Sequence, residues 1–257
     1  MTPGTVYLVG AGPGAPDLLT LRAAKLLAVA DVVFHDALVH PETLELAARA
    51  QRIAVGKRCG KHSTAQQFIN KRLVDAARTH SVVVRLKGGD PMLFGRAQEE
   101  IAALEAAGVR YEVVPGVTAA LAASAELGIS LTQRGVARSV ALVTPRVGAG
   151  ERASDWTASV VAADAAAIYM AAGQATEISA ALIAAGKSPT TPVVVVENIS
   201  LADRRPRYGT LSALSDITKA GAAGPALILL GPQFHARAAS ISTVAEFDEP
   251  LRATAVS

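Results

Sequence analysis

The stretch "VYLVGAGPGAPDLLTL", residues 6–21, decides how the first part of the chain folds. Its apolar beginning is typical of a buried strand. The turn that follows places Gly10, Gly12 and Ala15 at the G-x-G-x-x-G/A spacing of dinucleotide-binding turns. Asp36 closes a second apolar run, at about the 20-residue offset where such a site carries its ribose-binding acid. This spacing alone predicts a site for NAD or FAD.

The residues after these glycines weaken that interpretation. Pro13 lacks an N–H that a pyrophosphate would need, and Pro16 delays the start of the helix. We therefore expect Asp17 to be the N-cap of the first helix. Because the loop is then wider than a pyrophosphate requires, two interpretations stay open, a dinucleotide site and a purely structural strand-to-helix turn.

Composition limits the class of protein. The chain has 257 residues, of which 51% are hydrophobic, enough for a full core. It contains neither a long apolar run nor a signal-peptide pattern, so we expect a soluble cytoplasmic protein without a membrane partner. The single cysteine, Cys59, has no partner for a disulfide, and the histidines lack metal-binding spacing, so no metal is expected. A net charge of +3 with 4% aromatics favours an anionic small molecule over a nucleic acid.

Short apolar runs alternate with helical patterns, which predicts an α/β fold with mostly parallel sheets. The predicted strands of a first unit are 6–9, 32–34, 52–55, 82–86 and 111–114. Those of a second unit are 140–143, 166–170, 193–196 and 226–230, with a helix at 176–185. We expect an N-terminal domain at 1–117, a C-terminal domain at 118–240 and a tail at 241–257.

The strongest local signal is "VVVRLKGGDPMLFGRAQEE", residues 82–100, where a strand runs into Gly88 and Gly89. Glycines without side chains let a ligand lie against the backbone. A third glycine loop, "VVPGVTAALAA" at 113–123, follows the fifth strand. Ligands of open α/β sheets bind at strand carboxyl ends, so the three loops are expected to converge on one crevice between the two units. None of them is a P-loop, because no G-K-[ST] follows the glycines.

These motifs, together with "DALVHPETL" and "VGKRCGKHST", resemble the S-adenosylmethionine-dependent uroporphyrinogen-III C-methyltransferases of the tetrapyrrole methylase superfamily. The resemblance runs from about residue 4 to residue 231, in the same order as in the family. It implies two α/β domains with S-adenosylmethionine in the cleft between them, no metal, and a homodimer. On this reading, the first glycine loop lines a methyl-donor site.

The resemblance also assigns site residues. The cofactor would be contacted by Pro13, Gly88, Gly89, Asp90, Leu93, Thr118, Ala119, Met170, Ile199 and Ala226. The positions implied for catalysis are Asp36, Lys57 and Arg96, and those for holding the tetrapyrrole are Glu99 and Arg134. The chain departs from the family pattern at Ala97 and Gln98, which replace two glycines, and at Ile199, which replaces a glycine. The residues do not rank Asp36 against Arg96 as the general base.

The implied reaction transfers methyl groups to carbons 2 and 7 of uroporphyrinogen III and gives precorrin-2, a precursor of siroheme and cobalamin. Guanidinium and ammonium groups suit a substrate that carries many carboxylates. Two alternatives stay open: methylation of a later precorrin, and a dinucleotide-dependent oxidoreductase. Asp36 also fits a strand-end turn residue, Lys57 also fits a surface charge, and Arg134 also fits a salt bridge within its loop.

Overall fold

The computed structural model describes residues 3–55, 63–148, 152, 154–171, 173–219 and 224–235. Lys57, Cys59 and the predicted tail at 241–257 lie outside these ranges. Among the described helices, none is long and apolar enough to cross a membrane.

The first sheet contains five strands in the order β3-β2-β4-β1-β5, all parallel. The strands are β1 (Thr5–Gly10), β2 (Val32–His35), β3 (Gln51–Ala54), β4 (Val82–Lys87) and β5 (Arg110–Val114). The helices of this half are α1 (Leu21–Val29), α2 (Pro41–Glu45), α3 (Ser63–Ala77) and α4 (Ala97–Ala106). All five carboxyl ends therefore lie along one edge of the sheet, which confirms the parallel sheet expected for this half.

Helices cover both faces of this sheet, which explains its nearly continuous apolar strands. Leu73 of α3 and Leu104 of α4 pack with Val6 and Leu8 on one face. Leu27 of α1 packs with the other face.

Helix α1 begins later than the sequence pattern predicts. Its N-cap is Thr20, whose Oγ1 accepts the Ala23 N–H at 3.2 Å, while Asp17 lies in a separate 3-10 turn at Pro16–Leu18. The prediction of Asp17 as N-cap is therefore wrong. Both residue types cap helices well, and only the threonine stands directly before the helical turn.

The second sheet has the order β6-β7-β10-β8-β9. Its strands are β6 (Val140–Val143), β7 (Ala165–Ile168), β8 (Pro192–Glu197), β9 (Arg205–Thr210) and β10 (Ala226–Leu230). Its helices are α5 (Ala119–Leu127), α6 (Trp156–Ala162), α7 (Ala175–Ala184) and α8 (Leu214–Lys219). Helix α5 packs on this sheet, since Ala120, Ala123 and Leu127 share a cluster with Ala167 and Val194.

This second sheet is mixed, which differs from the expected mostly parallel arrangement. Only β6 and β7 pair in parallel, whereas β10 runs antiparallel to β7 and β8, and β9 runs antiparallel to β8. The connection between β8 and β9 is residues 198–204, too short for the crossover that parallel neighbours need. Strand β9, "RPRYGT", was not predicted because it has no apolar alternation.

Candidate active site

The three glycine loops of the first sheet meet at the carboxyl ends of β1, β4 and β5. Gly12 and Gly89 exchange backbone hydrogen bonds, with N···O distances of 3.2 and 2.7 Å. A Cβ on Gly10 would lie 2.6 Å from the Cα of Gly116, so glycine at this position permits the close approach of the two loops. The expected convergence of the three loops is confirmed.

Asp90 fixes two of these loops to each other. Its Oδ2 accepts the N–H of Gly116 at 2.9 Å, and its Oδ1 accepts the N–H of Met92 at 2.8 Å. The carboxylate therefore positions the backbone of the loop after β4 and of the loop after β5.

The glycine pair that follows β4 faces open space. A Cβ on Gly89 would meet no atom of the described residues within 4 Å, and one on Gly88 would meet only the Cβ of Leu38, at 3.8 Å. Gly89 has a φ of +67°, in the left-handed region that favours glycine. This open backbone leaves room for a ligand to lie against the main chain at Gly88 and Gly89.

Loops of the second sheet lie directly against the first glycine loop. The N–H of Ala15 donates to Ser200 Oγ at 2.8 Å, and a Cβ on Gly14 would lie 3.2 Å from the Ile199 carbonyl oxygen. Ala226 opens β10 opposite Glu197 of β8, beside this loop. Ile199 therefore lies next to the first glycine loop, whereas the side chain of Ala226 packs against the apolar cluster on the opposite face of the second sheet.

Tyr169, which follows β7, links the two halves of the cleft. Its hydroxyl lies 2.7 Å from Thr118 Oγ1 and accepts the N–H of Ala120 at 3.2 Å. Its ring packs against Phe94, which lies in the loop between β4 and α4, with centroids 5.1 Å apart. Met170 follows immediately and is 44% exposed.

Every non-glycine residue with a left-handed backbone in the described ranges lies in the loops that surround this cleft. They are Phe94, Arg96, Met170, Asn198 and Ser200, with φ between 49° and 67°. Such conformations cost about 1–3 kcal/mol each and concentrate at functional sites. Their distribution marks the cleft as the candidate site. The departure at Ile199 agrees with this geometry, because Ile199 itself does not have a positive φ and needs no glycine.

A buried network of four charges lies behind the cleft. Arg85 Nη2 donates to Asp36 Oδ1 at 2.5 Å, and Arg85 Nε donates to Glu100 Oε1 at 3.0 Å. Lys87 Nζ donates to both carboxylate oxygens of Glu100 at 2.9 Å. The formal charges of the four groups sum to zero. Asp36 is the most exposed member, with 31% of its side chain accessible.

Burial acts on both cations of the network. It opposes the charge of Arg85, but Asp36 and Glu100 outweigh it, so the pKa of this guanidinium is raised. Burial, reinforced by the charge of Arg85, lowers the pKa of Lys87 despite the neighbouring Glu100. Asp36, which directly follows β2, is thus bound by the guanidinium of Arg85, a permanent cation.

The residues assigned to the tetrapyrrole lie in exposed loops and helix ends. Arg96, the N-cap residue of α4, makes a two-point contact with Glu99, at 2.6 Å from Nε to Oε1 and 2.8 Å from Nη2 to Oε2. Arg134 is exposed in the connection between α5 and β6. Lys57 lies outside the described residues.

A cavity of about 500 Å³ lies between the first glycine loop and α5. Its lining includes Ala15, Leu18, Leu121 and Glu126, and it shares none of its lining residues with the ten positions assigned to the cofactor.

The geometry argues against a dinucleotide site in the first loop. The N-terminus of α1 at Leu21 comes nine residues after Gly12, and Gly12 itself bonds to Gly89. A pyrophosphate would find no helix N-terminus at the glycine motif. Within the described part of the chain, no group of three metal-ligating side chains comes together either.

Sequence reasoning missed Tyr169, Arg85, Lys87 and Glu100. A signal for the network existed, because Arg85 and Lys87 alternate on one face of a central strand, where charges need partners. Tyr169 gave no such signal, since an aromatic residue at a strand end is most often part of the core.

Comparisons with known proteins agree with this architecture. Residues 5–215 match the family model described as tetrapyrrole (corrin/porphyrin) methylases. The siroheme synthases of Sodalis glossinidius and Chromobacterium violaceum are 48% and 47% identical, each over 89% of this chain. The chain spans about half the length of these relatives, 48% and 49%.

Two solved structures are similar to this chain. One is the uroporphyrin-III C-methyl transferase of Thermus thermophilus complexed with S-adenosylhomocysteine, 40% identical, with a TM-score of 0.78 over 89% of this chain and 98% of that one. The other is a cobalt precorrin-4 methyltransferase, 30% identical, with a TM-score of 0.78 over 90% and 95% of the two chains. The convergent glycine loops, the fold and the family match lead to one conclusion: this chain belongs to the tetrapyrrole methylase family.

Proposed function

We propose that the chain is an S-adenosylmethionine-dependent C-methyltransferase that methylates uroporphyrinogen III at carbons 2 and 7 to give precorrin-2. The observation that carries the proposal is the cleft itself, where the glycine loops of the first sheet meet Tyr169 and Ser200 from the second. The similarity to the Thermus thermophilus methyltransferase, 40% identical over nearly the whole of that chain, supports the same substrate.

The cleft suits the cationic methyl donor, which supplies an electrophilic methyl group when bound. Gly88 and Gly89 leave backbone open to a ligand, and Asp90 adds one negative charge. The contribution of these residues is to hold the methyl group and a pyrrole carbon of the substrate at near-attack distance, about 3–3.5 Å.

The substrate carries many carboxylates, and exposed guanidinium groups such as those of Arg96 and Arg134 suit them. Arg96 already makes a two-point contact with Glu99, which is the geometry that a guanidinium uses with any carboxylate. We propose that Arg96, Arg134 and Lys57 bind the tetrapyrrole, and that Glu99 orients Arg96.

Methylation leaves a proton to be removed from the macrocycle. Asp36 and Arg96 are the two candidates for this step. Asp36 is partly exposed and hydrogen-bonded to Arg85, which orients its carboxylate. Asp36→Asn should lower kcat while the affinity for S-adenosylhomocysteine is kept.

The test is to incubate the protein with methyl-labelled S-adenosylmethionine and enzymatically made uroporphyrinogen III. A tetrapyrrole with two labelled methyl groups at carbons 2 and 7 is expected. Label that enters only a later precorrin, offered in parallel, would replace the proposed substrate and keep the reaction class. Absence of labelled tetrapyrrole from the whole panel would refute the proposal. Light scattering should give twice the 26.3 kDa chain mass if the protein is the homodimer that we propose.

A further inference from the structure

The N-terminus of α5 uses an unusual cap. Thr118 stands at the N-cap position with an extended backbone, φ −77° and ψ 151°, but its side chain makes no capping hydrogen bond. A threonine here normally accepts an N–H of the first helical turn. Instead, the phenol oxygen of Tyr169, which follows β7 of the sheet on which α5 packs, accepts the N–H of Ala120.

Tyr169 and Thr118 share one hydrogen bond, 2.7 Å between the two hydroxyl oxygens, in which either hydroxyl can donate. The Tyr169 oxygen also accepts the Ala120 N–H, so in either arrangement one of the two hydroxyl protons has no acceptor among the described residues. When Tyr169 donates, that proton is the one on Thr118, and it is available to an acceptor atom of a ligand.

Tyr169 is itself held in place. It is half-buried, and its ring packs against Phe94 of the β4–α4 loop. Burial raises the pKa of its phenol, against the opposing effect of the Thr118 and Ala120 hydrogen bonds. The phenol therefore keeps its proton at neutral pH and stays a donor.

We propose that Tyr169 is a positioning residue for the methyl-donor site: it takes over the capping of α5 and turns the hydroxyl of Thr118 into a donor toward an acceptor atom of the bound cofactor. The inference rests on the proposed function, because it needs the cofactor to lie beside Thr118. Ribose oxygens, adenine ring nitrogens and the amino-acid carboxylate of the cofactor are all acceptors of the required kind.

Calorimetric titration with S-adenosylhomocysteine, without substrate, tests the inference. Tyr169→Phe keeps the ring and its contact with Phe94 and removes only the hydroxyl. The affinity of this variant should fall about three- to tenfold, the usual effect of one neutral hydrogen bond. The matched control is Tyr111→Phe, which removes an exposed hydroxyl that donates to Glu105. This variant should keep its affinity within about twofold of wild type.

A double-mutant cycle separates positioning from mere stability. Thr118→Val has the same shape without the hydroxyl, and its loss of affinity should not add to that of Tyr169→Phe, since both remove the same interaction. Hydrogen exchange of the Ala120 amide, measured without ligand, should accelerate in Tyr169→Phe and not in Tyr111→Phe.

Each remaining outcome counts against a specific claim. If wild type binds S-adenosylhomocysteine and Tyr169→Phe binds it equally well, or if the two losses add fully, Tyr169 does not position Thr118 and only this inference fails. If wild type does not bind S-adenosylhomocysteine at all, the proposed function fails first and the inference fails with it.

Discussion

The Asp90 carboxylate accepts the backbone N–H of Gly116 at 2.9 Å, so a side chain after β4 holds the loop after β5. Asp90→Ala removes this bond and the one to Met92. We expect a loss of about 2 kcal/mol in the free energy of unfolding and a roughly tenfold weaker affinity for S-adenosylhomocysteine. Urea denaturation and calorimetric titration measure the two effects.

The matched control for Asp90 lies at the opposite edge of the same sheet. Asp31 accepts the N–H groups of Ser81 and Val82 at 2.9 and 2.8 Å. Asp31→Ala should destabilise the protein in the same direction and leave the affinity unchanged. Equal losses of affinity in both variants would show that Asp90 acts only through global stability.

Gly89 and Gly108 form a second matched pair. Their φ angles are +67° and +66°, and a Cβ added to either would meet no atom of the described residues within 4 Å. Alanine at either position should cost about 1 kcal/mol in unfolding free energy through backbone strain. Only Gly89→Ala adds a methyl group inside the cleft, so only this variant should bind S-adenosylhomocysteine more weakly. A comparable loss of affinity in Gly108→Ala would contradict the position that we assign to the ligand.

The adjacent carboxylates Glu99 and Glu100 should differ sharply in their effect on stability. Glu100 is fully buried between Arg85 and Lys87, and Glu100→Gln leaves these cations with too little negative charge. We expect a loss of about 3 kcal/mol. Glu99 forms an exposed pair with Arg96, so Glu99→Gln should change stability by less than about 1 kcal/mol. Urea midpoints at neutral pH measure both, and similar losses would contradict the network.

Asp164 predicts a pH dependence of stability. Hydrogen bonds, first from the Arg138 N–H and then from Ser139, lower the pKa of its carboxyl below the ordinary value of 3.8. A carboxyl with a lowered folded pKa stabilises the protein above its unfolded pKa, and this contribution disappears as the pH falls through the folded pKa. Asp164→Asn should therefore be less stable than wild type at pH 7, and the gap should narrow below about pH 4. A gap that is constant from pH 7 to pH 3 in urea titrations would contradict the shift.

The strands of the first sheet were predictable because they are buried on both faces. β1, β2, β4 and β5 are short, apolar and bounded by glycine, proline or aspartate, and each lies within one or two residues of its predicted bounds. β9 was not predictable, because an edge strand with partly exposed side chains needs no apolar pattern. Its strand conformation is stabilised by antiparallel pairing with β8 and not by an apolar pattern in its own sequence.

The site was predictable to a different degree. The three glycine loops could be placed together from topology alone, since parallel strands bring their carboxyl ends to one edge. Tyr169 could not be found in this way. Its role depends on two atoms, at Thr118 and Ala120, that come near it only after α5 has packed on the second sheet.

The bond from Ala15 to Ser200 has a consequence for protein engineering. It joins the backbone N–H of Ala15 in the first half to the side chain of Ser200 in the second half. Ser200 has a left-handed φ of 67°, which few amino acids tolerate. A chimera that exchanges halves between relatives must therefore bring a hydroxyl-bearing residue to position 200. A hybrid without such a residue would form both sheets but would leave the Ala15 N–H without the hydrogen bond that joins the two halves.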